Sequence, residues 1–323
     1  MQPGVAATPK PFESSSRIGA SESLVLDDLQ WSVDRLPDLL DRIGRVDVGR
    51  RSVQIRLGSF TYASALAVLA EWILANHLVR HHEIECPPEM EAYLDRIRFE
   101  AALKNREIRV SPDERDWAVG LTQINRDLPT EDVTAKIVDI IDTFIHPDPQ
   151  TRQAFQTLIA EMIENVHRHA EASVDGFAVA QVYPKRLKMG ITLVDSGIGV
   201  RESFERGQPS IPIEGLRTDA DFLRAACKLH ATSKPSRHSG YGLYLLSEVV
   251  ARNRGTFSIS SGCATLVGYL RSKEVVFDAF SHAPWKGTIV SAIINLHNSL
   301  PILEVYRSMP APEGYSADDL FVE

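Results

Sequence analysis

Two polar side chains with the spacing of a shared helix face stand in the stretch LIAEMIENVHRHA, at residues 158–170. Apolar residues recur there at intervals of three and four, which predicts an amphipathic helix with one buried stripe. Glu161 and Asn165 are four residues apart and therefore lie one above the other on that helix. A carboxylate and a carboxamide so placed form either a solvated edge or one wall of a polar site, and the downstream sequence favours the site.

A second candidate carboxylate directly follows a predicted strand. Residues 176–183 and 187–194 read as consecutive strands, and Asp195 comes immediately after them in the sequence Asp-Ser-Gly-Ile-Gly. A carboxylate at a strand end lies at a pocket floor, and Gly197 and Gly199 let the backbone approach a ligand closely. No third glycine follows at the dinucleotide spacing and the chain contains no P-loop sequence, so neither of those phosphate sites is predicted.

A long segment, residues 201–237, separates this strand from the next glycine-rich turn. An insertion of that length inside a compact domain is typical of a lid or a binding loop. It contains a predicted helix at 219–229 and the run Thr-Ser-Lys at 232–234. Soon after it, Gly240-Tyr-Gly-Leu opens an apolar helix. Backbone N–H groups at such a helix start are natural phosphate ligands, so this turn predicts a phosphate site.

The sequence also predicts the helices and strands that must position these polar residues and glycines. Residues 132–144 predict a helix with a candidate N-cap at Thr130; prolines at 147 and 149 end it, and a new helix begins near Thr151. Further strands are predicted after the glycine-rich turn, at residues 256–260, 265–270 and 289–296.

The N-terminal half predicts a separate small α/β unit. Its predicted elements are a strand at 52–57, a helix at 62–79, a strand at 83–86 and a helix at 89–104. Residues 105–125, with a predicted strand at 106–110 and an apolar stretch at 117–124, are assigned to the connection into the second half. Residues 1–22, with several prolines and serines, predict a disordered lead-in.

Composition restricts the class of protein. The 323 residues are 44% hydrophobic and 24% charged, as in soluble globular proteins, and are long enough for two domains, each with its own core. The net charge of -8 does not favour a broad nucleic-acid surface. Cys86, Cys227 and Cys263 are too widely spaced for a disulfide framework or a zinc site. With no apolar run of membrane-span length and no signal pattern, we expect a cytoplasmic protein without membrane contact.

The motifs of the second half, taken in order, resemble the GHKL ATPase superfamily of DNA gyrase, the heat-shock chaperone, sensor histidine kinases and MutL. Across residues 150–297 the matching motifs are Glu161-x-x-x-Asn165, Asp195-x-Gly197-x-Gly199, Thr232-Ser233-Lys234, Gly240-x-Gly242-Leu243 and Gly287-Thr288. The resemblance implies an α/β protein, an α+β two-layer sandwich with a Bergerat-type ATP-binding fold. It also implies ATP and Mg²⁺ as cofactors.

The resemblance implies how adenine is bound. Asp195 accepts a hydrogen bond from the exocyclic amine of the base, which selects adenine. Gly197, Ile198 and Gly199 lie beside the base, and Thr288 supports the site from the last strand.

It also implies roles at the phosphates. Asn165 binds Mg²⁺ through its side-chain oxygen, and Glu161 orients or deprotonates the attacking water or hydroxyl. Contacts to the nucleotide are further implied for His169, Ser233, Lys234, Gly240, Tyr241, Gly242 and Leu243. Lys234 and the neighbouring Arg237 have a second interpretation as solvated lid charges.

The N-terminal segment FTYASALAVLAEWI resembles the STAS domains of bacterial anti-sigma-factor antagonists, over residues 45–105. In that register Ser64 stands at the phosphorylatable serine, although Tyr62 and Ala63 replace the usual Asp and Ser. The alternative for Ser64 is an ordinary helix-capping serine. The predicted boundaries are a lead-in at 1–22, a STAS-like domain with its connection at 23–125, an ATP-binding domain at 126–300 and a tail at 301–323.

Three functions stay open at this point. The first is an ATPase that uses closure of the lid over the nucleotide as a regulatory switch. The second is a serine protein kinase of the anti-sigma-factor type acting on a STAS serine, and the third is a nucleotide-binding interaction protein with little turnover. Residues 108–150 are too short for the phosphoacceptor hairpin of a sensor histidine kinase. We expect a protein partner or a homodimer besides ATP.

Overall fold

The computed structural model describes residues 22–26, 35–49, 52–59, 62–104, 117–124, 130–169, 176–235 and 240–309. It is a mixed structure of helices with one parallel and one antiparallel sheet, in agreement with the predicted α+β class. The predicted lead-in up to residue 21, the strand predicted at 106–110 and the end of the tail from residue 310 lie outside the described residues.

The N-terminal unit is built around a three-stranded parallel sheet of order β1-β2-β3. Its elements are β1 (Glu22–Leu26), α1 (Leu36–Gly44), β2 (Val53–Leu57), α2 (Ala63–Ala75), β3 (His82–Glu85), α3 (Pro88–Arg96) and α4 (Phe99–Lys104). The single helix predicted at 89–104 is therefore two helices. The break lies at Arg98, whose φ of 57° an α-helix does not allow.

The second sheet has five antiparallel strands in the order β4-β5-β6-β8-β7. They are β4 (Ala118–Ile124), β5 (Gly176–Tyr183), β6 (Lys188–Val194), β7 (Thr256–Arg271) and β8 (Glu274–Asn295). The stretch at 117–124, assigned from sequence to the connection, supplies the edge strand β4. The strands predicted at 256–260 and 265–270 form one strand, β7, whose register is irregular around Gly262.

The remaining helices are α5 (Thr130–Ile145), α6 (Pro149–His169), α7 (Gly199–Arg206), α8 (Asp219–Ala226), α9 (Gly242–Arg252) and α10 (Ile302–Ser308). Helices α5, α6 and α9 cover one face of the five-stranded sheet, in a core that includes Phe155, Ile191 and Phe257. Helix α10 occupies the start of the predicted tail, and its Ile302 and Val305 are buried in this core. No helix in the described part of the chain is long and apolar enough to cross a membrane.

The opposite face of the five-stranded sheet is buried under the N-terminal unit. Helix α2 packs on β5 and β6, and α1 packs on β8. One apolar cluster contains Leu66 of α2 together with Phe177 and Val194 of the sheet. The two halves therefore share a core, whereas the sequence predicts one core for each.

Ser64 lies inside this shared interface. It is the second residue of α2, whose N-cap is Tyr62, so it does not have the position of the capping serine considered above. Only 8% of Ser64 is exposed, and the Thr192 hydroxyl of β6 donates to its oxygen over 2.9 Å. The Ser291 hydroxyl lies 2.8 Å from that of Thr192. Buried hydroxyls in an apolar layer need such partners, because an unpaired one costs free energy.

We expect the change Ser64→Asp to reduce the free energy of unfolding by about 3 kcal/mol or more, because it places a carboxylate in the dry layer between α2 and the sheet. Chemical denaturation measures the loss. The control is Ser23→Asp on the exposed face of β1, where we expect less than about 1 kcal/mol. Equal losses at the two positions would contradict the burial of Ser64.

Candidate functional site

A cavity lies between the five-stranded sheet and helices α6 to α9. Its volume, taken over positions that the centre of a water molecule can occupy, is about 90 Å³, which is room for several waters. Most of the predicted site residues line it, namely Glu161, Asn165, Asp195, Gly199, Ser233, Gly240, Tyr241, Gly242, Leu243 and Thr288. Residues more than 120 positions apart in the sequence thus meet in one cavity.

The other predicted residues lie at its margin or cannot be placed. The Gly197 N–H donates to the Asp195 carboxylate over 2.8 Å, and Ile198 is the N-cap residue of α7. Lys234 is half-buried and its N–H donates to the Thr232 hydroxyl. The backbone of His169 belongs to α6, but its side chain and all of residue 237 lie outside the described residues.

Asp195 is the most buried charged group of the cavity, with 3% of the residue exposed. Burial raises the pKa of its carboxyl to about 7, and the N–H groups of Gly197 and Thr288 counteract part of that rise. A carboxylate has about four lone-pair sites, more than these two N–H groups use. Asp195 can therefore accept a further hydrogen bond from an amine of a ligand in the cavity.

The side chains of Glu161 and Asn165, on α6, lie beside Gly242, the first residue of α9. A Cβ atom added to Gly242 would come within 2.7 Å of the Glu161 Oε2 atom and 3.2 Å of the Asn165 Nδ2 atom. The Nδ2 atom of Asn165 is buried and makes no hydrogen bond. Because half a turn about χ2 exchanges the two ends of an amide, the same position can present an oxygen. An amide placed this way in a cavity lining indicates a site built for a ligand.

The start of α9 is also suited to an anion. The Tyr241 side chain makes no capping hydrogen bond, and the first helical bond runs from the Leu245 N–H to the Tyr241 carbonyl. The N–H groups of the first turn therefore point out of the helix at the positive end of its dipole. Among the described residues that line the cavity, the charged side chains are Glu161 and Asp195, both acidic. A bound polyanion would need compensation by a cation.

Two of the predicted glycines are required by the protein's own packing. Gly199 has φ +76°, and a Cβ there would lie 2.6 Å from the Ser261 hydroxyl. Gly240 has φ +72°, and its Cβ would lie 2.5 Å from the carbonyl carbon of His230. Both backbones adopt conformations that other residues rarely tolerate. The resemblance explained these glycines by the ligand; the structure explains Gly199 by the neighbouring strand β7 and Gly240 by the turn at His230.

The lid between β6 and α9 has its own apolar cluster, centred on Phe204, Phe222 and Ala226. Two backbone hydrogen bonds connect its start and end, from the Gln208 N–H to the Ser233 carbonyl and from the Ser210 N–H to the Thr232 carbonyl. The segment 201–237 and the residue before it supply cavity residues that sequence reasoning did not select, Val200, Ser203, Phe204, Ala226 and Ala231. No local pattern marks these residues, because they reach the cavity only through the folding of the lid.

The cavity does not contain a preformed cage for a metal ion. Within the described ranges, no group of three or more His, Cys, Asp or Glu side chains is arranged to hold one. A Mg²⁺ ion there would take one ligand from Asn165 and the others from phosphate oxygens and water, which is how this ion is commonly bound beside nucleotides.

Comparison with known proteins found no family model and no curated protein that matches the chain.

We expect the contribution of Asp195 to the free energy of unfolding of the ligand-free protein to fall as the pH rises from about 4 to about 7. In that window the unfolded chain releases the Asp195 proton while the folded protein retains it, since the folded pKa is raised from 3.8 to about 7. Asp195→Asn removes the free-energy cost of ionising this buried carboxyl. At pH 8 the variant should exceed the wild type by up to about 4 kcal/mol, and the difference should disappear near pH 4.

Denaturation curves at several pH values measure this difference. The control is Asp148→Asn, since hydrogen bonds from Thr151 lower the pKa of that exposed carboxyl. This control should gain no stability at high pH. A pH-independent difference between Asp195→Asn and the wild type would contradict the prediction.

Proposed function

We propose that the protein binds ATP with Mg²⁺ in this cavity, hydrolyses it, and uses closure of the lid over the nucleotide as a regulatory switch. The observation that carries the proposal is one cavity that combines three features. These are the buried carboxylate of Asp195, the Glu161–Asn165 face of α6 and the uncapped start of α9. An antiparallel sheet with helices over the cavity face also supports the Bergerat-type fold implied by the resemblance.

Asp195 would bind the adenine end of ATP. Its carboxylate accepts a hydrogen bond from the exocyclic amine of adenine. Leu193, Ile259 and Val290 offer an apolar surface to the adenine ring. A base with a carbonyl at that position would face the carboxylate with an acceptor and leave a buried polar group unpaired, which costs affinity.

The phosphates would lie against the start of α9, near Asn165. The N–H groups of Gly242 and Leu243 donate to phosphate oxygens, and the Asn165 amide oxygen holds Mg²⁺. The metal neutralises phosphate charge in a cavity whose described charged side chains are acidic.

Glu161 would act on the attacking water. Its carboxylate reaches the first residue of α9, where the terminal phosphate would lie, so it can orient the water and accept its proton. Phe204 and Ala231 of the lid cover the cavity and limit access of bulk solvent.

The kinase alternative is not favoured for the chain's own serine. Ser64 lies between α2 and the face of the sheet that is turned away from the cavity. A phosphoryl group in the cavity would have to cross the sheet to reach it. A kinase activity would therefore need an acceptor serine other than Ser64.

We expect purified protein with γ-labelled ATP and Mg²⁺ to release free phosphate. Glu161→Ala should lower the rate by about 10²- to 10⁴-fold while ATP binding is retained, because a general base contributes that much. Glu131→Ala, at an exposed position in the first turn of α5, is the control and should leave the rate unchanged.

The same experiment separates the alternatives. Label transferred to a serine of the protein or of a partner would support a kinase, and ATP binding without turnover would support an interaction protein. Absence of ATP binding, or binding unaffected by Asp195→Asn, would overturn the nucleotide assignment.

We expect Gly242→Ala to fold normally but to lose at least tenfold in phosphate release. The added methyl group would displace the flexible end of Glu161 and narrow the approach to Asn165, while alanine itself favours the helix. Steady-state hydrolysis and thermal unfolding measure the two effects. The matched control is Gly49→Ala, where, among the described residues, an added Cβ atom would meet only the Asp47 side chain. Activity equal to wild type in Gly242→Ala would contradict the placement of Glu161.

A further inference from the structure

A tryptophan from the long strand β8 connects the Asp195 loop to the N-terminal unit. From its contacts we infer that Trp285 is a positioning residue for the adenine site, through which the docking of helix α1 and the binding of nucleotide influence each other. The inference rests on the proposed function, and it names an input that regulates the same site.

Trp285 belongs to both parts of the molecule. Its indole Nε1–H donates to the backbone carbonyl oxygen of Asp195 over 3.1 Å. Its ring is 6% exposed and lies in the apolar cluster that contains Leu40 and Ile43 of α1. Asp195, which presents its carboxylate to the cavity, is therefore hydrogen-bonded through its backbone to Trp285, a side chain packed in the N-terminal core.

The strand after Trp285 leaves the Asp195 loop little freedom. The Asp195 N–H donates to the Thr288 carbonyl over 2.9 Å. Gly287 has φ +108°, and any Cβ atom there would overlap the Asp195 carbonyl. The Ser261 hydroxyl donates to the Gly287 carbonyl over 2.7 Å and accepts from the Val200 N–H of α7 over 3.0 Å. A shift of β8 at residues 285–288 must therefore move the Asp195 backbone.

Helix α1 is hydrogen-bonded to β8 and packs closely on it at Ala283, two residues before Trp285. The Asp41 carboxylate accepts a hydrogen bond from the Ala283 N–H over 2.6 Å. Gly44, the last residue of α1, lies so close to Ala283 that a Cβ atom would overlap the Ala283 methyl group. The position of α1 thus determines where β8 lies two residues before the indole that holds Asp195.

This arrangement makes the coupling reciprocal. If ATP binds more tightly when α1 is docked, then ATP must stabilise the docked state of α1 by the same factor. Displacing α1 should weaken ATP binding without changing Glu161 or Asn165, which belong to helix α6. A partner that binds the N-terminal unit and moves α1 would change nucleotide affinity by this route.

The first test replaces Trp285 by phenylalanine, which retains a ring but removes the N–H donor. We expect Trp285→Phe to raise KM and the ATP dissociation constant by about 3- to 10-fold and to leave kcat within twofold, since one buried hydrogen bond is lost. The control is Trp117→Phe; Trp117 directly precedes the edge strand β4 and stacks on Tyr93 of α3. A fall in kcat with unchanged KM, or equal effects of both variants, would overturn the positioning role.

The second test measures the coupling itself by amide hydrogen exchange across residues 36–44. ATP should slow exchange in α1 of the wild-type protein and of Gly49→Ala, but not in Trp285→Phe or Gly44→Ala. Gly44→Ala should also weaken ATP binding severalfold, although it lies outside the cavity. Unchanged exchange in the wild type at saturating ATP would overturn the coupling while leaving the proposed function intact. Failure of the wild type to bind ATP would overturn both.

Discussion

An antiparallel sheet commonly keeps one face in water, but the central part of the sheet β4-β5-β6-β8-β7 is buried on both faces here. Most of the remaining structure follows from that constraint. Every residue of β5 except its last is buried, so the strand reads as an apolar run without alternation. On the face turned to α2, the hydroxyls of Thr192 and Ser291 are hydrogen-bonded to each other, and that of Thr192 also donates to Ser64. The cavity face, by contrast, concentrates its polar groups at the strand ends beside the lid.

The same burial determines the electrostatics of the cavity. Asp195 is ionised at a cost because burial has raised its pKa, and the second acid of the described lining, Glu161, adds negative charge to the same space. Such an arrangement is unfavourable for the ligand-free protein and favourable for a ligand that brings amine donors and a cation. The cavity therefore has the character of a functional site, where stability is sacrificed locally for binding.

Sequence periodicity predicted the parts that depend on local structure. The helix with Glu161 and Asn165, the strands before Asp195 and the helix that begins after Gly240 all follow from spacing within one element. Periodicity does not indicate which distant segments pair or pack together, so the sequence assigned β4 to a connection and α10 to a tail. The continuous apolar character of β5 was a signal that both faces are covered, but it does not say by what. Nothing in the sequence around Trp285 indicates that its indole reaches Asp195.

The shared core also constrains how the chain can be synthesised. Helix α2 emerges from the ribosome well before β5, β6 and β8, the strands that cover it. Until Ile289 and its neighbours have been synthesised, the apolar side of α2 lacks part of its native contacts. Those contacts join residues more than 200 positions apart in the sequence. Chains dominated by such distant contacts fold slowly and expose apolar surface meanwhile. The core of the N-terminal half is therefore complete only when the last strand is in place.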